Sequence, residues 1–519
     1  MELLFESRVS IRNVEGRLRP IQNRPKLTRD PVLVGDSMVD GTGTTLHGSV
    51  LRDHLGGFRM YYQAWPWDWN GNDSALVGLA LSEDGRRWQK PTLELQAYGD
   101  DDDALNNLVD LGFHSPSIWL DPEAPITHRY RATGFAGPHL VGANDGAQRS
   151  GYYAAHSDDG LHWTLDSREP LWPESAVITS MYHPTYRRGL AAMKRLVYVH
   201  GVRRRSLWMA TCRDGRWSEG ACALVPDEYD DVCAQTRGFV SGDYYGMGMM
   251  PAGTGTVGFL WNFRHSMPRS AGTEMGIYGV TDVSLVYQDG LESRWQHMPG
   301  RPDFISHRHM NWGSGGVYTA SSPLETESEH WLFFSAMSRS HAWYLDRAYS
   351  VVEKRKAEII TAGLGRIGVA RWPKWRLFGY RADPEGVLTI NLGPVGRPSE
   401  LFLNYETEDG GSIRVEIPAL RGYVLETARP LTGKSLSEAV GWMHGTDITP
   451  ADNPIIARIH LDSATIWAYE LKPIDDEDDE PIRVERAAES RPEEQDGNIE
   501  EEEDVLVGFS GEIRRLGAK

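Results

Sequence analysis

The stretch Ser82-Glu-Asp-Gly-Arg-Arg-Trp88 returns in the same chain as Ser157-Asp-Asp-Gly-Leu-His-Trp163. Degenerate copies follow at Cys212-Arg-Asp-Gly-Arg-Trp217 and at Tyr287-Gln-Asp-Gly-Leu-Glu-Ser-Arg-Trp295. Asp-Gly after a β-branched or aromatic run predicts a hairpin turn, because both residues tolerate positive φ. The tryptophan that follows can fold back over the turn and bury its ring. A strand–turn–Trp unit repeated along a chain predicts a radial or stacked β architecture.

The spacing of the predicted strands indicates how many units the chain holds. First strands begin near Gly48, Pro116, Ser180, Tyr244 and Gly315. These starts lie about 65 residues apart, which is enough for a four-stranded blade with generous loops. The sequence therefore predicts an all-β protein whose residues 31–345 form a five-bladed β-propeller.

The remaining segments have different patterns. Residues 1–30 contain two prolines and are predicted to be a lead-in that wraps the propeller. Residues 346–366 have helical periodicity and predict a connector. Residues 367–473 alternate in polarity over short runs, beginning with Ile367-Gly-Val-Ala-Arg371, and predict a β-sandwich. Residues 474–519 form an acidic tail that is predicted to be largely disordered.

Composition excludes several classes of partner. The net charge of −19 argues against binding to nucleic acid or to an anionic membrane surface. Three cysteines without paired spacing give no disulfide framework and no cysteine-rich zinc site. The first residues lack an apolar signal segment, so a cytoplasmic protein acting on small soluble molecules is expected. The sequence does not indicate an oligomeric state.

Further motifs of the chain are Arg59-Met-Tyr-Tyr-Gln63, Ser82-x-Asp-Gly-x-x-Trp-x-Lys-Pro91, Pro116-Ser-x-x-x-Asp-Pro122, Tyr245-Gly-Met247 and Leu401-Phe-Leu-Asn404. They resemble motifs of the glycoside hydrolase family 32/43 group of five-bladed propellers with a C-terminal β-sandwich, including its uncharacterised bacterial branch. The resemblance implies cleavage of a glycosidic bond in the axial funnel of the propeller. The catalytic Asn-Asp-Pro-Asn, Arg-Asp-Pro and Glu-Cys motifs of family 32 do not occur at the corresponding blade positions. The resemblance therefore carries over the location of the site but not its residues.

Residues at the starts of the inner strands give the candidate site. Glycoside hydrolysis requires a pair of carboxylates, one acting as acid and one as nucleophile or base. Asp40 is the predicted nucleophile or base, and Asp243 is the predicted acid. The predicted substrate-binding residues are His47, His114, Ser115, His183, Tyr245, Trp312 and Trp65.

Two alternatives remain open from the residues alone. His47, His114, His183 and His309 could place one imidazole per blade around a divalent metal ion, which would make the chain a metal-dependent hydrolase or lyase. The metal ion is the only cofactor that these residues suggest. In the second alternative, the tryptophans at positions 65, 67 and 69 and the axial histidines only bind carbohydrate, without catalysis.

Overall fold

The computed structural model describes residues 1–4, 11–53, 56–69, 73–99, 104–142, 146–173, 176–268, 276–342 and 364–474. Residues 346–363 of the predicted connector and residues 475–519 of the predicted tail lie outside these ranges. The described part is almost entirely β, as predicted, and contains a single α-helix, Glu228–Gln235, with two 3₁₀ turns at Ile126–His128 and His307–His309. Within these ranges no helix is long and apolar enough to cross a membrane.

Five sheets form the blades of a propeller, as the repeat predicted. The first blade contains Gly43–Thr45, Val50–Arg52, Phe58–Trp65 and Val77–Ser82, and the second contains His114–Leu120, Tyr130–Ala136, Gly151–Ser157 and Thr164–Leu165. The third contains Ile178–His183, Arg188–Val199, Val202–Arg213, Arg216–Trp217 and Ala221–Leu224. The fourth contains Ser241–Ala252, Gly255–His265, Gly279–Gln288, Gln296–His297 and Asp303–Ile305. The fifth contains Gly316–Thr319, Leu324–Glu325, Glu329–Met337, Gly365–Pro373 and Lys26–Leu27.

Small polar side chains join the inner strands of neighbouring blades along the propeller axis. Ser49 Oγ lies 2.6 Å from Ser321 Oγ and accepts a hydrogen bond of 2.8 Å from the backbone N–H of Ile118. The Ser180 N–H donates to Ser117 Oγ at 2.7 Å. Because these side chains are short, the inner strands approach one another closely and the axis is filled. A ligand site on this axis therefore lies at an end of the propeller rather than in its middle.

The fifth blade shows that the predicted boundary between propeller and sandwich is too early. The strand Gly365–Pro373 pairs along its whole length with Glu329–Met337. It is therefore the third strand of the fifth blade, and the propeller extends beyond the predicted limit at residue 345. The fifth blade has no Asp-Gly-x-x-Trp copy, so the repeat gave no signal for this strand.

The first thirty residues belong to two sheets, which corrects their prediction as a wrapping lead-in. Lys26–Leu27 pairs with Gly365–Pro373 and closes the fifth blade. Ile11–Gln22 pairs with Phe378–Val395 in the C-terminal sheet. The other strands of this sandwich-like seven-stranded sheet are Glu2–Leu3, Ser399–Glu416, Lys434–Ala439, Asp447–Ile448 and Ala451–Pro473. A separate apolar core, which includes Trp442 and Ile459, lies against this sheet.

The repeated Asp-Gly turns have the predicted form. Ser82 Oγ accepts a 2.8 Å hydrogen bond from Gly85 N–H, and Trp88 Nε1 folds back to donate to Gly85 O at 3.3 Å. Ser157, Gly160 and Trp163 repeat both contacts at 2.9 and 3.2 Å. These turns follow the ends of the third strands, which run parallel to the inner strands. They therefore lie at the opposite face from the upper face, which we define as the end where the inner strands begin.

We expect Gly160→Ala to lower the free energy of unfolding by about 2 to 3 kcal/mol, because it combines left-handed backbone strain with a steric clash. Gly160 has φ of +77°, and an added Cβ would lie 2.4 Å from the Tyr61 hydroxyl oxygen. Gly201→Ala is the matched control, since Gly201 has φ of +78° and no atom within 4 Å of the added Cβ. Urea denaturation of both variants measures the difference. Equal losses would show that the Tyr61 contact does not matter.

Candidate functional site at the upper face of the propeller

Polar side chains from all five blades meet at the upper face, and we call this group the axial cluster. It consists of His47, His114, Ser115, Lys194, Arg205, Tyr245, Tyr318 and His341. His114 and Ser115 begin the inner strand of the second blade, and Tyr245 and Tyr318 lie on the inner strands of the last two. His47 lies between the two inner segments of the first blade, Gly43–Thr45 and Val50–Arg52. Lys194 and Arg205 lie on the hairpin of the third blade, where it extends past the start of the inner strand at Ile178.

His47 is a buried, neutral imidazole at the centre of this cluster. Its ring centroid lies 5.0 Å from that of Tyr318 and 6.2 Å from that of His114. Burial, and then the charges of His114 and Lys194, lower the pKa of His47 to about 3. Its Nδ1 atom is buried and has no hydrogen-bond partner. A buried ring nitrogen without a hydrogen-bond partner lowers the stability of the fold unless a ligand supplies that partner.

Lys194 is the most unusual residue of the axial cluster. Lys194 is 8% exposed, and its Nζ lies 4.6 Å from the centroid of the Tyr245 ring. Burial, and then the charge of the Arg205 guanidinium, lower the pKa of Lys194 to about 7, while Asp73 acts in the opposite direction. A group with a pKa near neutrality can both donate and accept a proton at physiological pH.

A β-bulge orients Tyr245. The register of the strand Ser241–Ala252 with its partner shifts between Tyr244 and Gly246, so Tyr245 has no residue opposite it in the ladder. The Tyr245 hydroxyl lies 2.9 Å from His341 Nε2, and His341 Nδ1 lies 2.6 Å from the carbonyl of Ile277. Because a carbonyl only accepts, the hydrogen is on Nδ1 and Nε2 accepts from the Tyr245 hydroxyl. Burial lowers the pKa of His341 to about 4, which keeps this imidazole neutral.

Asp243 lies beside the axial cluster, but its contacts favour a charged carboxylate. Arg204 Nε and His265 Nε2 both lie 3.0 Å from its oxygens, and Arg205 Nη1 lies at 3.4 Å. Two guanidinium neighbours stabilise the ionised form, which is unsuited to donating a proton. The predicted acid role of Asp243 is therefore not supported by its surroundings. Its position fixes the orientation of Arg205.

Asp73 is a second carboxylate at this face, and the sequence-based prediction missed it. It is exposed, and its charge acts on both Lys194 and His341. It lies between the second and third strands of the first blade, on the loop that leaves Trp65. The prediction considered only the starts of the inner strands. A search of the loops that leave the second strands at the same face would have included it.

Asp40 lies away from the axis and is held by its own loop. Its Oδ1 accepts hydrogen bonds from Ser37 Oγ at 2.7 Å and from the Ser37 N–H at 3.0 Å. Its Oδ2 lies 2.8 Å from the Tyr62 hydroxyl and 2.6 Å from Lys90 Nζ. Asp40 and Asp243 share no contact, so the structure does not bring the predicted catalytic pair together. Because both oxygens are already engaged, Asp40 is an anchor for the chain rather than a nucleophile.

A cavity at the rim of the first blade is also away from the axis. It measures about 980 Å³ and is lined by Ser37, Lys90 and Asn107, among others, at the rim of the first blade. These side chains separate Asp40 from the cavity, and the residues of the axial cluster do not line it. Its size alone does not make it a functional site, because none of its described lining residues has a buried polar atom without a hydrogen-bond partner.

Trp65, His114 and Ser115 lie at the upper face. Trp65 Nε1 donates to Thr45 Oγ1 at 2.8 Å, and its ring meets that of His114 edge-on at 6.0 Å. Ser115 has φ of +53° and a buried Oγ without a partner. The three neighbouring tryptophans do not form one wall, because the strand ends at Trp65. Trp69 packs edge-on against Trp65, and Trp67 is 44% exposed.

Three predicted site residues lie elsewhere. His183 ends its inner strand at the lower face, where its Nε2 donates to Gly255 O at 3.1 Å. His309 is exposed, and its Nδ1 accepts from the Ser306 N–H at 3.2 Å. Trp312 stacks on Phe334 and donates to Arg29 O at 3.0 Å. His183 was misplaced because its strand starts at Ile178, before the predicted start.

The four histidines predicted to bind a metal ion are therefore not brought into one site. His47 and His114 are neighbours, whereas His183 and His309 have the separate locations just described. In the described ranges no group of three or more histidine, cysteine, aspartate or glutamate side chains is arranged to hold a metal ion. Lys194 and Arg205 also place positive charge beside His47 and His341, which disfavours a cation there.

Comparison with known proteins gives distant structural similarity. No family model matches the chain, and no curated protein matches it in sequence. A glycosyl hydrolase from Bacteroides ovatus aligns with a TM-score of 0.40 and 14% identity over 69% of this chain and 94% of its own. An exo-β-1,3-galactanase from Phanerochaete chrysosporium aligns with a TM-score of 0.38 and 9% identity, over 86% of this chain and 100% of its own. A family 32 β-fructofuranosidase from Bombyx mori aligns with a TM-score of 0.36 and 10% identity, over 87% of this chain and 94% of its own.

These scores are too low to carry a conclusion about activity. The five-bladed fold of this chain is established by its own strand pairing.

Proposed function

We propose that the chain is a glycosidase-like enzyme that cleaves a glycosidic bond of a small carbohydrate or glycoside at the axial cluster. The observation that carries this proposal is the convergence of buried polar groups that lack partners. His47 Nδ1 and Ser115 Oγ have none, and no described residue accepts a hydrogen bond from Lys194 Nζ. A polar ligand can supply hydrogen-bond partners to groups of this kind. A carbohydrate supplies many hydroxyls in a small volume.

The side chains around these groups suit a sugar. The rings of Trp65 and Tyr245 lie beside the hydrogen-bonding groups and give the cluster an apolar part, and a sugar ring likewise combines apolar and hydroxyl surfaces. Asp73 is exposed while Lys194 is buried, so the cluster extends from the solvent into the propeller.

The roles follow from the chemistry of these two groups. Glycosidic cleavage needs a proton donor to the leaving oxygen and a carboxylate that acts as nucleophile or activates water. The pKa of Lys194, about 7, makes it the proton donor. Asp73 supplies the carboxylate. His47, Ser115 and the Tyr245–His341 pair bind hydroxyls, while Asp243 holds Arg205.

The test is product analysis by mass spectrometry with a panel of neutral and acidic glycosides. We expect products that carry the mass of one added water. Lys194→Met and Asp73→Asn are each expected to lower kcat by about a hundredfold or more. Lys472→Met and Asp452→Asn are the controls, because both residues are exposed on the C-terminal sheet. Products without added water would indicate a lyase. Absence of turnover across the panel would favour the carbohydrate-binding alternative.

A further inference from the structure

Lys194 lacks what a buried ammonium group requires. An ammonium group has three N–H donors and no acceptor, and burial without hydrogen bonds is costly for it. No described residue accepts a hydrogen bond from Lys194 Nζ, and its contact is with the face of the Tyr245 ring at 4.6 Å. A cation–π contact offsets part of the lost hydration but supplies no acceptor oxygen.

The charges near Lys194 do not replace that acceptor. The Arg205 guanidinium repels the ammonium, and its effect exceeds the attraction of Asp73. His47 and His341 are neutral because burial lowers the pKa of each. The space beside Lys194 therefore favours a negatively charged group with several acceptor oxygens.

We propose that the axial cluster binds an oxyanion carried by the sugar, either the carboxylate of a uronic acid or a sulfate ester, and that the Lys194 ammonium is its main partner. This inference names the substrate class of the proposed enzyme and so rests on the proposed function. An oxyanion accepts the donors of Lys194, and Ser115 Oγ and His47 Nδ1 can contact the sugar or its anionic group. A metal ion would instead be repelled by Lys194 and Arg205. A neutral hydroxyl would accept a hydrogen bond without offsetting the charge.

The test is isothermal titration calorimetry of the full chain with glucuronic acid, glucose 6-sulfate and glucose. We expect at least one acidic sugar to bind about tenfold or more tightly than glucose. A preference for glucuronic acid assigns the anion as a carboxylate, and a preference for the sulfated sugar assigns it as a sulfate ester. Equal binding of all three sugars overturns the proposal, as does the absence of binding by both acidic sugars.

Variants connect the preference to Lys194. Lys194→Met is expected to remove the preference for the acidic sugar, whereas Lys194→Arg retains most of it because the positive charge and donors remain. Lys472→Met is the matched control, since Lys472 is exposed on the C-terminal sheet and pairs with Glu470. If Lys194→Met still prefers the acidic sugar over glucose, Lys194 is not the main partner of the oxyanion.

The binding experiment can fail separately from the proposed function. If acidic sugars bind through Lys194 but no glycoside in the panel is cleaved, the proposed function fails and the anion site stands. If a neutral glycoside is cleaved at the axial cluster and acidic sugars neither bind nor compete, the function stands and the anion site is wrong.

Discussion

Lys194→Met is expected to unfold at higher denaturant concentration than the parent chain, although it loses activity. Methionine has a similar length and fills the space over Tyr245 without burying an ammonium group. Replacing buried charge with an apolar side chain of similar volume often stabilises a protein, and we expect a gain of about 2 kcal/mol in the free energy of unfolding at pH 7. An active site often holds groups that are unfavourable for folding.

The pH dependence of stability distinguishes the removal of a buried charge from a change in packing, which would not vary with pH. The pKa of Lys194 falls from 10.5 to about 7 on folding, so between these values the unfolded chain binds more protons than the folded one. The free energy of unfolding of the parent therefore rises with pH across this window, and the cost of Lys194 is fully present below pH 7. We expect the advantage of Lys194→Met to be larger at pH 6 than at pH 9.

The groups facing Lys194 do not reverse this sign. They are Arg205 on the same hairpin, His47 and Asp73 from the first blade, Tyr245 from the fourth and His341 from the fifth. The pKa values of His47 and His341, about 3 and about 4, lie below the window. Urea denaturation at both pH values, with Lys472→Met as control, is the measurement. If Lys194→Met is less stable than the parent chain and shows the opposite pH trend, the result contradicts a lowered pKa of Lys194 in the folded chain.

Asp40→Asn is expected to destabilise the chain by about 3 kcal/mol while leaving the activity per folded molecule intact. The asparagine oxygen can replace Oδ1 in the loop. Its NH₂ group, however, would then face the Tyr62 hydroxyl and Lys90 Nζ, which both contact Oδ2 now. Lys90 would lose a buried counter-charge, and two donors would point at each other.

Asp36→Asn is the matched control for Asp40→Asn. Asp36 also pairs with Lys90, but its side chain is 68% exposed, whereas that of Asp40 is fully buried. Exposed ion pairs contribute about 0 to 1 kcal/mol, so we expect little change in stability. Denaturation and kcat are measured on the same preparations. A stable but inactive Asp40→Asn protein would restore Asp40 as a catalytic residue and contradict the anchoring role.

The fold could be predicted because its signals are local. Asp-Gly turns and the tryptophans that cover them depend on a few consecutive residues, and Gly85 and Gly160 have the positive φ that the pattern implies. The strand Gly365–Pro373 was assigned to the wrong sheet because its alternating pattern suits either one. Its partner is determined by tertiary pairing with Glu329–Met337, which no short window of sequence contains.

The candidate site could be predicted only as a location. His47, His114, Ser115 and Tyr245 lie at the upper face because inner strands begin there. Lys194 was missed because it lies on the second strand of the third blade, in the part of the hairpin that extends beyond the start of the inner strand. In sequence, Lys194 is one charged residue in an apolar strand. Its importance depends on burial, on the Tyr245 ring and on Arg205, all of which are brought to it by folding.

The pairing of the first thirty residues affects how the chain can assemble as it is synthesised. The strand Lys26–Leu27 has no strand partner until Gly365–Pro373 exists, and Ile11–Gln22 has none until Phe378–Val395 exists. Early strand edges must therefore remain unpaired while most of the polypeptide emerges, which exposes them to incorrect association. The same long-range closure means that neither the propeller nor the C-terminal sheet can be excised as an intact piece by a single cut.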